Sequence, residues 1–114
     1  CGAFQFQRDS FGDLPMHAAS NRGHAKVVRE LLANRISVYD VVNKEGMTPL
    51  HFAARGNHVE VAKMLLEANA DPRKIDTNGR TPQWYAQREK YEEMIQLLQQ
   101  AIQKKLSMIS RTSI

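Results

Sequence analysis

Four histidines are the residues whose type and spacing best suit them for chemistry in this chain. His17 and His24 form one pair, and His51 and His58 form a second pair with the same seven-residue spacing. Imidazole nitrogens are common zinc ligands, so two such pairs could hold a metal ion. A zinc site also needs convergent ligands, however, and the single cysteine, Cys1, stands at the far terminus. The role of the histidines therefore depends on the elements that position them.

Other catalytic patterns lack their essential residues. The sequence contains no Gly-rich phosphate loop, no Gly-x-Ser-x-Gly elbow and no Glu beside paired histidines. Glu92 and Glu93 are adjacent on a predicted helix, so their carboxylates should point to different sides and cannot face each other across a substrate. We therefore predict that this chain is not an enzyme and that it needs no cofactor.

Composition and charge narrow the class of protein further. A chain of 114 residues with 42% hydrophobic and 25% charged residues suits one small soluble domain, and no apolar run approaches the ~20 residues that span a bilayer. The formal net charge is +4, but residues 99–114 supply three bases and no acid, which leaves 13 bases against 12 acids elsewhere. This balance argues against nucleic acid as a partner, and membrane binding is not expected. A lone cysteine excludes an intrachain disulfide and fits a reducing compartment.

Three copies of one unit cover most of the chain. Pro15, Pro49 and Pro82 are separated by 34 and 33 residues, and an alanine follows each proline four residues later. Proline suits the first turn of a helix, and Thr48 and Thr81 can cap the helices that they precede. A second helix with Val and Leu at core spacing follows each short first helix. Each unit is therefore predicted to be a helical hairpin.

The connectors between units, 43–46 and 76–79, end in glycine and are predicted to form projecting β-turns. The second unit is the most informative, because Gly46-Met-Thr-Pro-Leu-His-Phe-Ala-Ala54, followed by His58, resembles an ankyrin repeat. The resemblance spans roughly residues 2–98. It implies an all-α solenoid of stacked helix-turn-helix units with projecting β-turns.

The resemblance also implies a domain organisation. We expect the tail and turn of a truncated upstream repeat at 1–11, ankyrin repeats at 12–45 and 46–78, a C-terminal capping repeat at 79–98, and an amphipathic helical extension with a frayed tail at 99–114. The apolar surface of the first repeat, including Leu14, Val27 and Leu31, would then pack on an upstream repeat. An uncapped N-terminal face would also allow self-association, and the chain is expected to be the C-terminal part of a longer protein.

The histidines have a structural explanation within this family. Each pair falls on two positions where ankyrin repeats commonly have His, the first bonding to the Thr and backbone of the turn and the second to the next loop. We therefore interpret His17, His24, His51 and His58 as structural residues rather than as metal ligands.

Partner contacts in ankyrin proteins come mainly from the turn tips and the inner face of the first helix, so the resemblance implies a noncatalytic protein-binding module of the adaptor or inhibitor type. The aligned candidate residues are Phe11, Asp13, Arg22, Lys44, Glu45, Met47, Arg55, Asn78, Arg80 and Arg88. Arg22, Arg55 and Arg88, here called the arginine strip, should line up along the concave face, flanked by exposed Phe11 and Met47. Such a strip suits a protein partner with acidic and apolar contact residues. The alternative is that the three arginines are ordinary solvated side chains.

Two further hypotheses stay open. The repeats could instead be a regulatory appendage of a larger ion channel, kinase, ubiquitin ligase or other enzyme, and the sequence upstream of Cys1 would decide between these classes. In the tail, Ala101, Ile102, Leu106 and Ile109 continue at helical spacing while Lys104 and Lys105 add charge. This extension could dock a partner helix or an anionic membrane, or fold back over the end of the solenoid. The family implies an intracellular location, cytoplasmic or nuclear, or the cytoplasmic side of a membrane protein.

Overall fold

A computed structural model describes residues 15–33 and 42–112, with side chains described as far as Ser107. Within these ranges the regular secondary structure is entirely α-helix, and no residue lies in a strand. The described helices are α1 (Pro15–Arg22), α2 (Ala25–Ala33), α3 (Pro49–Arg55), α4 (Val59–Glu67), α5 (Pro82–Arg88) and α6 (Glu92–Thr112). The predicted pairs of a short and a longer helix are confirmed.

The prolines and threonines of the repeat start the first helices as predicted. The Oγ1 of Thr48 accepts the N–H of His51 at 3.4 Å, and the Oγ1 of Thr81 accepts the N–H of Trp84 at 3.2 Å. Each threonine thereby satisfies one of the backbone N–H groups that have no partner inside the first turn of the helix. Proline follows directly at the first helical position, where its missing N–H costs nothing.

A left-handed residue separates the two helices of each hairpin. This residue is Gly23 in the first hairpin, Asn57 in the second and Lys90 in the third, with φ of 73°, 58° and 58°. Glycine and asparagine adopt this conformation readily, whereas lysine pays a steric cost there. The backbone geometry of the repeat is therefore kept in the third unit although its sequence departs from the family pattern.

The helices form two layers that stack along one direction. Helices α1, α3 and α5 contact one another in the inner layer, and α2, α4 and α6 do so in the outer layer. The larger of two apolar clusters runs between the layers and includes side chains from every unit, among them Met16, Val28, Leu50, Leu65, Met94 and Leu98. The predicted ankyrin-type solenoid is thereby confirmed, since each helix pair buries its apolar faces against the next pair.

The first outer helix is less well covered than the others. Val27, Val61 and Met94 are each the third residue of their outer helix, yet Val27 is 40% exposed whereas Val61 is 1% and Met94 is 0% exposed. The difference arises because Val61 and Met94 lie on the side of their helices that packs on the preceding unit.

Several predicted features lie outside the described residues. They are the candidate contacts Phe11 and Asp13, the repeat tail at 1–11, Leu14, and residues 34–41 of the predicted repeat at 12–45. Helix α6 continues past Ser107 to Thr112. In the part of the chain that the structure describes, no helix is both long enough and apolar enough to cross a bilayer.

Candidate functional site

The first inter-repeat turn is organised by the side chain of Asn43. Its Oδ1 accepts the backbone N–H groups of Glu45 at 2.9 Å and Met47 at 3.0 Å. The carbonyl of Asn43 accepts the N–H of Gly46 at 3.0 Å, where φ is 72°. An amide oxygen that bonds the backbone two and four residues ahead closes the turn, so the predicted β-turn is confirmed.

Asp76 repeats this arrangement in the second turn and adds a buried contact. Its Oδ1 accepts the N–H groups of Asn78 at 2.9 Å and Arg80 at 3.0 Å, while its Oδ2 accepts the hydroxyl of Tyr85. Burial by itself would raise the pKa of Asp76, but these three donors together outweigh burial and hold the pKa below its ordinary value. The pKa of Tyr85 is raised, first by burial and then by its bond to the carboxylate. The Asp76 carboxylate is therefore charged and, through its three hydrogen bonds, connects the second turn to α5.

Histidines join the first helices α1 and α3 to the turn of the following unit. The Nε2–H of His17 donates to the carbonyl of Met47 at 3.0 Å, and the Nε2–H of His51 donates to the carbonyl of Arg80 at 2.9 Å. Nδ1 of His51 accepts the backbone N–H of Thr48 at 3.0 Å and lies 2.8 Å from its Oγ1. Because a backbone N–H can only donate, His51 must be the neutral form protonated at Nε2. Both ring nitrogens of His51 therefore form hydrogen bonds to the backbone of the chain.

The second histidine of the second pair also has a structural contact. The Nε2–H of His58 donates to the backbone carbonyl of Asn21 at 3.0 Å, and the imidazole packs against the backbone of Gly23 and Gly56. His24 is exposed at the start of α2. Among the described residues, no three His, Cys, Asp or Glu side chains converge on a point that could hold a metal ion. The contacts agree with the interpretation of His17, His51 and His58 as structural residues.

Replacing His51 by alanine should lower the free energy of unfolding by roughly 1 to 2 kcal/mol, because the carbonyl of Arg80 and the N–H of Thr48 lose their buried partner. Chemical denaturation followed by far-UV circular dichroism measures the loss. Zinc should leave the melting temperature of the wild-type chain unchanged. Melting that rises with zinc, and does so only while His51 is present, would contradict the structural role.

The same histidine should make stability depend on pH. Burial lowers the pKa of His51 below 6.5, although the carbonyl of Arg80 and the charge of Asp76 partly oppose the shift. The unfolded chain therefore takes up this proton at higher pH than the folded chain, and stability is lost as pH falls below about 6.5. Unfolding measured at pH 7.5 and pH 5.5 should show a smaller pH effect in His51→Gln than in the wild type. If the pH dependence of stability were equal in both proteins, it would arise from a titrating group other than His51.

One predicted contact residue is placed differently by the structure. Met47 was expected to be exposed beside the arginine strip, but its side chain is 1% exposed and packs with Phe52 and Tyr85. The expectation is wrong because the chain turns inward directly after Gly46, which places the next side chain between two units. Met47 belongs to the core and cannot contact a partner.

The arginine strip occupies related positions in the three units. Arg22, Arg55 and Arg88 are the last residues of α1, α3 and α5, and all three are exposed. The guanidinium of Arg55 lies 4.8 Å from the centre of the Phe52 ring and donates to Oδ1 of Asn21 at 3.3 Å. Arg55 thereby spans two neighbouring units of the solenoid.

An exposed tryptophan lies beside the last arginine of the strip. The Trp84 ring is contacted by the guanidinium of Arg80 at 4.1 Å and by that of Arg88 at 5.7 Å, and its exposed fraction is 36%. The Tyr85 ring meets it edge to face, with ring centres 5.1 Å apart. We call Trp84, Arg80 and Arg88 the Trp84 cluster. Cation–π contacts of this kind hold both partners in a defined orientation.

The turn tips of the two described connectors touch each other. The backbone N–H and the Oγ1 of Thr77 both donate to the carbonyl of Glu45 at 3.0 Å. Lys44, Glu45 and Asn78 are exposed along the edge that these turns form. The structure thus brings together the candidate residues of the two turns, whereas the sequence alone could align them only by repeat position.

Three residues of this region, Asp76, Trp84 and Tyr85, are not among the candidates derived from the sequence. Asp76 and Tyr85 were not singled out, although the equivalence of Asp76 with Asn43 at the start of a turn was a usable signal. Trp84 stands where the first two units have a histidine, and it is not among the candidate contact residues derived from the sequence. The contacts of its ring come from two arginines, and one of them, Arg80, follows the preceding turn.

Comparison with known proteins agrees with the geometry. The family described as ankyrin repeats in three copies matches residues 1–76. The chain is 35% identical over 86 residues to the ankyrin repeat and KH domain-containing protein mask-1 of Caenorhabditis elegans, covering 75% of this chain and 3% of that protein. It is 35% identical over 83 residues to the tyrosine-protein kinase Shark of Drosophila melanogaster, covering 73% of this chain and 9% of the kinase.

A bacterial relative gives the same result. The putative ankyrin repeat protein YahD of Escherichia coli is 34% identical over 93 residues, which cover 77% of this chain and 46% of that protein. The chain thus spans less than half the length of each of these relatives. Since two thirds of the chain matches the family and the hairpins stack as its repeats do, this chain belongs to the ankyrin repeat family.

Proposed function

We propose that the chain is a noncatalytic protein-binding module whose contact surface consists of the arginine strip, the Trp84 cluster and the exposed turn residues Lys44, Glu45 and Asn78. The observation that carries the proposal is the exposed Trp84 ring held beside Arg80 and Arg88. Tryptophan and arginine are the residue types that most often dominate the binding energy of protein interfaces. Phe11 and Asp13 remain candidate members of the same surface.

The Trp84 cluster is suited to a partner with carboxylates beside an apolar group. A guanidinium that stacks on a ring keeps its N–H edge available for bidentate bonds to a carboxylate. Arg88 lies 3.8 Å from the exposed Glu89 carboxylate, and an exposed pair of this kind is weak enough to be exchanged for a partner's carboxylate. Because the rings and guanidinium groups are already in contact, binding would lose little side-chain entropy.

The position of Trp84 in the repeat supports this use. It stands where His17 and His51 stand in the earlier units, and those histidines donate to the turn of the following unit. An indole N–H can donate as an imidazole does, but the larger ring also leaves apolar area for a partner. The third unit therefore carries a contact residue where the others carry a structural one.

The proposal is tested with proteins captured from a cell lysate by the immobilised chain. Trp84→Ala should weaken the affinity of the captured partner at least tenfold, whereas Trp84→Phe, which keeps a ring between the arginines, should weaken it less. Titration of the purified partner by isothermal calorimetry measures both effects. Unchanged affinity of the Ala variant, with its circular dichroism spectrum intact, would refute the proposed surface.

A second candidate function is favoured by the lengths of the relatives. The repeats would be a regulatory segment of a larger protein, as the ankyrin-type sequence of the kinase relative is part of a much longer chain. The exposed Val27 forms part of an apolar surface. A preceding repeat, of which residues 1–11 are the proposed tail and turn, could pack on this surface. Two copies of the chain could also associate through it. Transmembrane spans or catalytic motifs encoded next to this segment would favour the regulatory role, and further repeats alone would favour the adaptor role.

A further inference from the structure

A groove with a volume of about 1080 Å³ lies between α6, the C-terminal end of α4 and the loop that follows α4. None of its lining residues comes from α1, α3 or α5, so the groove is separate from the arginine strip and the Trp84 cluster. The apolar residues of the lining, all buried or half-buried, form a floor of Leu66, Ala70, Leu97 and Ala101. The polar residues of the lining form a rim around this floor.

The rim of the groove is basic. Lys63, Arg73, Lys104 and Lys105 line it, and Glu67 is the one acid in the lining. Arg73 is also paired with Asp71 outside the lining, with Nε and Oδ1 3.3 Å apart. The three lysines therefore supply most of the positive potential. The part of α6 after Glu93 adds no compensating charge, because no acid follows this residue in the sequence.

The groove exists because α6 is much longer than its counterpart in the second unit. Helix α4 has 9 residues and α6 has 21, so α6 continues beside the loop after α4 instead of ending with it. The Nζ of Lys105 donates to Oδ1 of Asn69 at 3.3 Å, which ties the extension to that loop. The apolar floor is thus held in place before any partner binds, and ordering the groove should cost little on binding.

We infer that this groove binds an acidic amphipathic helix of a partner protein. An apolar stripe at i, i+4 and i+7 would lie on the Leu66, Leu97 and Ala101 floor, and flanking Glu or Asp residues would face Lys63 and Lys104. Charge complementarity favours this occupant, because the basic excess of the whole chain is concentrated in residues 99–114. A second copy of the chain fits poorly, since its 12 acids are scattered and never exceed two in a row. An anionic bilayer presents a flat surface, whereas this site is concave.

The test uses a display library of helical 16-residue peptides selected on the wild-type chain, followed by fluorescence anisotropy with the enriched peptides. Enriched peptides should be net acidic with apolar residues at helical spacing. Their affinity should fall at least tenfold with Lys63→Glu/Lys104→Glu and with Ala101→Trp, which fills the floor without changing charge. The matched control is Lys26→Glu/Arg29→Glu, the same charge change on exposed positions of α2. Circular dichroism and melting establish that each variant is folded.

The outcomes separate this inference from the proposed concave surface. Trp84→Ala should leave peptide affinity unchanged, because Trp84 does not line the groove. Enriched peptides that lack acids, or that bind the groove variants as tightly as the wild type, would overturn the inference. It would also be overturned if vesicles of phosphatidylserine and phosphatidylcholine bound in a Lys63- and Lys104-dependent manner while no acidic peptide was enriched.

Discussion

Replacing Asp76 by alanine should lower the free energy of unfolding by about 3 kcal/mol, the largest stability effect that we expect from a polar residue of this chain. The substitution removes the acceptor for two backbone N–H groups of the second turn and for the hydroxyl of Tyr85. The bond from Tyr85 is buried and the two backbone bonds are partly buried, so water would replace the carboxylate only in part. Urea denaturation at pH 7, followed by circular dichroism at 222 nm, measures the change in the free energy of unfolding.

The repeat itself provides the matched control for this prediction. Asp76→Asn places at the second turn the residue that already organises the first turn, because Asn43 bonds the backbone in the same pattern. The Asn variant should keep the turn and lose only the charge-assisted bond from Tyr85, at a cost of about 1 kcal/mol. Tyr85→Phe should cost a similar amount. Equal losses for Asn and Ala at position 76 would contradict the assignment.

Acid should remove the contribution of Asp76. Its pKa in the folded chain lies below 3.8, so the unfolded chain binds the proton at higher pH. The stabilisation is therefore complete well above pH 3.8 and is lost as pH falls below that value. This range is separate from that of His51, whose effect begins near pH 6.5. The difference in stability between the wild type and Asp76→Asn should shrink as the pH falls through 3.8.

Exchanging the arginine strip for glutamate should reduce partner binding at least a hundredfold. Arg22, Arg55 and Arg88 are exposed, so the change reverses the charge of the proposed contact surface without entering the core. Wild-type binding should also weaken with salt, because the screening length falls from about 10 Å at 0.1 M to roughly 3 Å at 1 M. Surface plasmon resonance at the two salt concentrations measures the dissociation constant of the captured partner.

The variant must be controlled for effects on the helices themselves. Each arginine lies in the last turn of its helix, where a positive charge interacts favourably with the helix dipole. Glutamine at the three positions removes the charge without placing a negative one there, and it should reduce binding by less than glutamate does. Lys104→Glu/Lys105→Glu should leave a concave-face partner bound. If the lysine variant lost the partner and the arginine variant still bound it, the binding site would lie on α6 and not on the concave face.

The sequence by itself determined the local structure of this protein. The spacing of the three prolines, the capping threonines and the turn glycines act over a few residues, and each of them forms the predicted element. The histidines could be interpreted because their bonding partners also belong to the repeat. Periodicity therefore predicted the fold, the helix pairs and the turn positions of the described residues.

The tertiary structure alone decided which side chains a partner can reach. Met47 shows this most clearly, because the repeat pattern predicts an exposed side chain at this position, yet Met47 is buried. The bond between Asp76 and Tyr85 and the stacking of Arg80 on Trp84 each join a turn to the helix that follows. Exposure and side-chain contacts depend on the unit packed alongside, and a periodic pattern does not contain that information because it gives every unit the same neighbours.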